Sequence, residues 1–229
     1  MSFSQKIINI IEARRENWKK SRPGDLGRFW RDGGDELLFQ LPIKTGSLVI
    51  DGGGYKGDWT YKLIALYGCK SFIFEPVPQY ALYCKNRFKK NALVTVHNVA
   101  LGGSKRKTNF SLIDNGTSEF RSELDSENKI EVNVIDVATI FQNIEDKRVA
   151  CFELNIEGGE YEVLERMIET NNIDLCDSLL IQFHQQPEGY LERYKKIIEA
   201  LHRTHIQIFC YEMGWEKWVH KSLIDKLDV

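Results

Sequence analysis

A glycine-rich segment and a carboxylate 24 residues further on are the first residues whose types and spacing could support chemistry. Residues 51–57, DGGGYKG, directly follow a short apolar run, and glycines let a backbone turn sharply and lie against a ligand. Glu75 closes the next apolar run. An acidic residue at about this spacing commonly accepts hydrogen bonds from ribose hydroxyls. The two features together indicate a site for a nucleoside-bearing cofactor; the alternative is an ordinary turn beside a surface carboxylate.

Two frames of the glycine segment predict different cofactors. Gly52-x-Gly54-x-x-Gly57 fits the dinucleotide fingerprint, so NAD has to be considered. None of the nine tyrosines has a lysine four residues later, as a short-chain dehydrogenase would require. The other frame, Asp51-x-Gly53-x-x-x-Gly57, is typical of S-adenosylmethionine enzymes, in which no pyrophosphate has to be bound. We therefore expect S-adenosylmethionine rather than NAD.

A third segment, residues 152–164, reads FELNIEGGEYEVL. With VIDGGGYKG at 49–57, FIFEPVP at 72–78 and VALG at 99–102, it resembles the FkbM-like family of S-adenosylmethionine-dependent methyltransferases. Its most specific parts are Glu-Pro-x-Pro at 75–78 and Glu-Gly-x-Glu at 157–160. The resemblance implies a class I methyltransferase (Rossmann-like) α/β fold. It also implies O-methylation of a hydroxyl of a sugar, nucleotide sugar, glycan precursor or related small molecule.

Four positions depart from the pattern usual in that family. Gly54 and Tyr55 replace an alanine and an asparagine in the first loop, and Glu153 and Asn155 replace a lysine and an aspartate in the fourth strand segment. The amide of Asn155 can hydrogen-bond a ligand, but it cannot act as a base and is a weaker metal ligand than a carboxylate. An alternative function is therefore a non-catalytic ligand-binding or scaffold protein on a degenerate methyltransferase fold.

The resemblance, carried over residue by residue, implies a cofactor site built from residues at and after the first four core strands. The first loop would frame the methionine and adenosine parts, the acid after strand two would bind the ribose, and the residues after strand three would contact adenine. The expected cofactor-binding residues are Asp51, Gly53, Tyr55, Gly57, Glu75, Asn98, Val99 and Asn155.

The base that methyl transfer to a hydroxyl requires is expected to be one of five histidines. A neutral imidazole is well matched to accept a proton near pH 7. His184 ends the strand next in sequence to the one that ends at Asn155, so both should lie at the ligand edge, together with Glu157. We predict His184, Glu157 and Asn155 as catalytic residues; the alternative for His184 is a structural cap. The same three side chains could hold magnesium or manganese, although their spacing does not establish a metal site.

Short apolar runs alternate with helical patterns from residue 47 onward, and these elements must position the residues above. Nearly continuous apolar strands are typical of parallel strands covered on both faces. We therefore expect an α/β fold with a mainly parallel sheet and helices on both faces. Strands are predicted at 47–50, 71–74, 93–97, 150–154, 178–183 and 206–211, and helices at 57–66, 77–91, 160–171 and 190–203.

Two stretches interrupt this alternation. Residues 3–20 have helical spacing, and the glycine- and proline-rich residues 21–34 break it. We interpret 1–44 as an N-terminal helical extension packed on a methyltransferase domain formed by 45–229. Residues 102–142 are polar and predict an excursion, either a hairpin or an edge element, with strands at 108–112 and 130–134.

Composition excludes several classes of protein. The 229 residues carry 31 basic and 33 acidic side chains, and the net charge of −2 does not favour a nucleic acid or an anionic membrane. No apolar segment approaches the roughly 18 uninterrupted residues of a membrane-spanning helix. No Cys-x-x-Cys pair occurs among the five cysteines, which argues against a structural zinc site or a thioredoxin-type site. Without an evident secretory signal, we expect a cytoplasmic protein. We expect its partner to be a small-molecule or glycan acceptor, and we leave its oligomeric state open.

Overall fold

The computed structural model describes residues 24–113, 116–118, 129–145 and 148–226. The predicted helix at 3–20 lies outside these ranges. Residues 21–34 are predicted as a break, and this is wrong for helix α1, Gly24–Arg31, which is followed by the short helix α2, Gly34–Leu37. Gly34 serves close packing, because a Cβ there would lie 2.4 Å from the Phe29 ring, whereas Gly33 has a φ of +89° just before α2.

The central sheet has seven strands: β1 Leu48–Gly52, β2 Lys70–Phe74, β3 Val94–His97, β8 Cys151–Leu154, β9 Ser178–Gln182, β10 His205–Cys210 and β11 Trp215–His220. Their order in the sheet is β10-β11-β9-β8-β1-β2-β3. Strands β1, β2, β3, β8 and β9 are parallel, while β11 runs antiparallel to both β9 and β10. The predicted mainly parallel sheet is therefore confirmed.

Helices cover both faces of this sheet, as predicted. The crossover helices are α3 Asp58–Tyr67, α4 Pro78–Phe88, α6 Glu160–Glu169 and α7 Tyr190–Thr204. Helices α6 and α7 pack on the face that includes Ile50 and Phe152, while α3 and the segment from α1 to Ile43 pack on the face that includes Val49. Proline begins α4, where its missing N–H costs no hydrogen bond.

The excursion forms a second sheet of four strands, in the order β4-β7-β5-β6. Antiparallel pairing of β5 with β7 agrees with the predicted hairpin, but the excursion is not an edge of the main sheet. The prediction missed β4, which is only three residues long, and the helix α5. These elements are β4 Ala100–Gly102, β5 Arg106–Ile113, β6 Gly116–Ser118, β7 Lys129–Asp136 and α5 Ala138–Asn143.

Strand β11 was also missed, because charged residues interrupt its apolar pattern. Glu216 and Lys217 are nevertheless buried. Glu216 accepts hydrogen bonds from the Tyr194 hydroxyl and the Trp218 indole, and the Lys217 ammonium donates to the carbonyl of Gln40. Hydrogen bonds to such partners offset the free-energy cost of removing charged side chains from water. Because the partners are distant in the sequence, they cannot be identified from the local pattern.

The strand order places a switch point beside β1. The chain leaves β1 towards β2 and β3, and returns on the other side through β8 and β9. Ligands of such sheets bind outside the carboxyl ends of the strands at this point. The ends of β1 and β8 are therefore where a site is expected.

No helix within the described ranges is long and apolar enough to cross a membrane.

Candidate functional site

The loop after β1 packs closely against its neighbours. The backbone N–H of Gly53 donates to the carbonyl of Phe74, and the backbone N–H of Asn155 donates to the carbonyl of Gly52, both at 3.0 Å. Gly53 has a φ of +102°, and a Cβ there would lie only 2.3 Å from the Asn155 carbonyl oxygen. Only glycine fits this conformation and this space. The loop thus brings two predicted cofactor-binding residues, Gly53 and Asn155, into contact at the switch point.

Glu75 joins the end of β2 to the same loop. Its side chain is buried, and its two carboxylate oxygens accept from the Tyr55 amide at 2.7 Å and the Val77 amide at 2.8 Å. Burial raises the pKa of Glu75 to about 7, although both amide hydrogen bonds oppose the shift. A carboxylate oxygen can accept more than one hydrogen bond, so these contacts leave acceptor capacity for a ligand hydroxyl. The structure therefore places Glu75 and Tyr55 together, with Tyr55 at a φ of +46°.

The remaining predicted cofactor residues frame this corner of the site. The Asn98 amide group donates to the carbonyls of Glu75 and Pro76, both at 2.9 Å, and so fixes the turn after β2. Val99 packs against the core. Gly57 has a φ of +72° at the start of α3. Asn98 thus holds the backbone that carries Glu75.

Two acidic side chains lie side by side beneath the loop. Asp51 and Glu153 are partners in the β1–β8 register and are only 2% and 4% exposed. The Thr60 hydroxyl donates to Asp51. Burial raises the pKa of Asp51 to about 6, and burial together with the Asp51 charge raises the pKa of Glu153 well above its usual range. The lysine-to-glutamate departure thus puts two carboxyl groups together in the core.

Because of the buried pair Asp51 and Glu153, we expect the free energy of unfolding to fall as pH rises. Both folded pKa values exceed the unfolded ones, so above about pH 4 the folded protein keeps protons that the unfolded chain has lost; for Asp51 this range ends near pH 6. We expect Glu153→Gln, which removes one titrating group, to raise the free energy of unfolding by about 1–3 kcal/mol at pH 8 and much less at pH 4.5. Urea unfolding at both pH values measures this. Glu36→Gln, at an exposed position, is the control; an equal effect of Glu153→Gln at both pH values would contradict the assignment.

His184 lies two residues beyond β9, at the same edge of the sheet. Its Nδ1 is 2.8 Å from Oε1 of Glu160, and its Nε2 is 3.6 Å from Oε1 of Glu157. The Tyr161 hydroxyl donates to the His184 carbonyl at 2.6 Å and fixes its backbone. The structure therefore brings His184 and Glu157 together, with Asn155 two residues before Glu157 in the turn after β8.

Glu160 is a residue that the sequence analysis quoted but did not assign to the site. It begins α6, is 0% exposed, and accepts from the Ile156 and Gly158 amides, each at 2.9 Å. Glu157 lies inside the turn so formed, at a φ of +53°. Glu160 is the second glutamate of the Glu-Gly-x-Glu element, and its place in that element was the sequence signal that could have assigned it to the site.

No group of three or more His, Cys, Asp or Glu side chains that could hold a metal ion occurs in the part of the chain that the structure describes. The predicted combination of Asn155, Glu157 and His184 contains only two side chains of these four types, so a metal site there stays a prediction.

Comparison with known proteins identifies the family. The model of the FkbM methyltransferase domain matches residues 51–212, more than two thirds of the chain. The chain belongs to the FkbM methyltransferase family. The matched range contains every predicted site residue of this FkbM methyltransferase.

One solved structure, with a TM-score above 0.5, supports the fold. An FkbM methyltransferase from Methylobacillus flagellatus KT is 13% identical, with a TM-score of 0.53 over 95% of this chain; the match covers 60% of the length of that protein. A putative rRNA methylase from Clostridium thermocellum is 11% identical, with a TM-score of 0.48 over 87% of this chain and 97% of its own. A search of curated proteins found no match. The predicted class I, Rossmann-like methyltransferase fold is confirmed.

Proposed function

We propose that this FkbM methyltransferase uses S-adenosylmethionine to methylate a hydroxyl group of a sugar, nucleotide sugar, glycan precursor or related small molecule. The observation that carries the proposal is the contact of His184 Nδ1 with the buried Glu160 at 2.8 Å, beside the loop that follows β8. A histidine supported in this way at a ligand edge is suited to take the proton of a hydroxyl group.

The residues of the site fit the proposed cofactor. Glu75 would accept hydrogen bonds from ribose hydroxyls, and the close contact of Gly53 with Asn155 holds the loops after β1 and β8 together at the switch point. Asp51, beneath the loop, would favour a cationic ligand when ionised. When bound, S-adenosylmethionine supplies a methyl group on a sulfonium centre. We propose that this group is held by the full predicted set, Asp51, Gly53, Tyr55, Gly57, Glu75, Asn98, Val99 and Asn155.

The chain's own part in the reaction is to position the acceptor and to move one proton. Nε2 of His184 would accept the hydroxyl proton, and Glu160 would stabilise the resulting imidazolium through Nδ1. The Asn155 amide would orient the acceptor by hydrogen bonding, and Glu157 would add negative charge beside Nε2. Holding the two reactants in line contributes much of the rate of such a displacement.

We further propose a small-molecule or glycan partner rather than a nucleic acid, and a cytoplasmic location. The near-neutral net charge of −2 supports the first. The second is supported by the five cysteines, which are all free in the structure, as suits a reducing compartment.

Cofactor choice and turnover test the proposed function. We expect S-adenosylmethionine and S-adenosylhomocysteine to raise the melting temperature, and NAD and NADP to have no effect, because the loop and Glu75 suit only the former. A shift with NAD and none with S-adenosylhomocysteine would contradict the proposal.

Turnover is then measured as S-adenosylhomocysteine release with a panel of nucleotide sugars and glycosides. We expect at least one to gain a methyl group on oxygen, as read by mass spectrometry and NMR. Cofactor binding without release across the panel would favour the non-catalytic scaffold instead.

A further inference from the structure

We infer that Glu160 is a positioning residue that fixes the tautomer of His184, so that Nδ1 carries the hydrogen and Nε2 is the nitrogen that accepts a proton. The inference rests on the proposed function, since the choice of acceptor nitrogen matters for catalysis only if a hydroxyl group is to be deprotonated.

Both oxygens of Glu160 are engaged by donors. Oε1 accepts from the Ile156 amide, and Oε2 accepts from the Gly158 amide. The same Oε1 lies 2.8 Å from His184 Nδ1. A carboxylate engaged by two backbone N–H groups acts as an acceptor, so the short third contact requires a hydrogen on Nδ1. Because Glu160 is fully buried, water does not compete for this contact.

One contact on the opposite side of the ring agrees with this tautomer. Nε2 faces the side-chain amide nitrogen of Gln182 at 3.4 Å, while Oε1 of Glu157 lies farther away, at 3.6 Å. An amide N–H can approach a ring nitrogen favourably only when that nitrogen carries no hydrogen. The His184 side chain is 14% exposed, and its Nδ1 contacts the fully buried Glu160. The hydrogen bond at one ring nitrogen thereby sets the chemistry of the other.

Glu160 also closes the turn before α6, and a purely structural role has to be separated from the proposed one. A structural glutamate would stabilise residues 156–158 whichever tautomer His184 adopts. The tautomer itself is therefore the property to measure, and it can be measured without knowing the methyl acceptor.

The test is two-bond ¹H–¹⁵N NMR on protein with ¹⁵N-labelled histidine, with the His184 signals assigned by their loss in His184→Gln. We expect the wild type at pH 8 to show His184 with hydrogen on Nδ1. Glu160→Ala should shift the tautomer ratio towards Nε2–H by about 10–100-fold, the loss expected for a hydrogen bond to a charged group.

Glu162→Gln is the matched control, because Glu162 lies on the same helix and pairs with Arg106 instead. It should leave the tautomer unchanged. Hydrogen on Nε2 in the wild type, or an unchanged ratio in folded Glu160→Ala, would overturn the inference; the wild-type measurement decides alone if that variant does not fold. Neither result depends on methyl transfer, so failure of the proposed function is seen separately, as absence of S-adenosylhomocysteine release.

Discussion

Replacing His184 by alanine is expected to lower turnover about 10²–10⁴-fold while leaving the affinity for S-adenosylhomocysteine nearly intact. The loss is expected to fall on the chemical step, because His184 contacts Glu160 and Glu157 at the turn after β8. Turnover is measured with the hydroxyl acceptor found in the panel, and affinity is measured by calorimetry.

His202→Ala is the control for this experiment, since His202 is an exposed residue of α7. Both variants are compared with the wild type in the presence and absence of EDTA. If His184 acts as a base and no metal takes part, the wild-type enzyme keeps its turnover in EDTA. Wild-type turnover in His184→Ala would show that His184 is structural, and Glu157→Gln would then be the next variant to measure.

Glu75→Ala is expected to weaken the binding of S-adenosylhomocysteine by about 1.5–3 kcal/mol, or about 10–150-fold in Kd. The substitution removes the acceptor for ribose hydroxyls and also the anchors of the Tyr55 and Val77 amides. Because burial raises the pKa of Glu75 to about 7, its ionised form grows as pH rises. Wild-type affinity should accordingly increase from pH 6 to pH 8, and this dependence should disappear in Glu75→Ala.

Calorimetry at the two pH values measures both effects. Asp58→Asn is the matched control, because Asp58 is an exposed carboxylate at the end of the same loop and pairs with Arg87. Its affinity should stay at the wild-type value. If Glu75→Ala binds as tightly as the wild type, Glu75 does not bind the ribose.

Much of the fold could be predicted because each buried parallel strand is a short apolar run followed by polar or glycine residues. The same logic located Asp51, Glu75 and His184, since residues that follow such runs meet at one edge of the sheet. It failed for β11, in which Glu216 and Lys217 resemble solvent-exposed residues. Their burial depends on Tyr194 and Gln40, which are far away in the sequence.

The roles within the site were harder to predict than its location. An acidic residue in the first turn of a helix is common, so Glu160 gave no local sign of contacting a histidine 24 residues away. The register that pairs Asp51 with Glu153 is likewise set by the whole sheet. The spacing of residues in the sequence predicted which side chains lie at the carboxyl ends of the strands. The contacts between those side chains depend on the tertiary structure.

The position of β11 has a consequence for how the protein is synthesised. This strand comes after β10 in the sequence but lies between β9 and β10 in the sheet. While residues 215–220 are still inside the ribosome, β9 has an unpaired edge and β10 has no neighbour to join. Open strand edges invite pairing with other chains. Completion of the sheet therefore awaits residues 215–220, and until they are available the open edge of β9 is exposed to pairing with other chains.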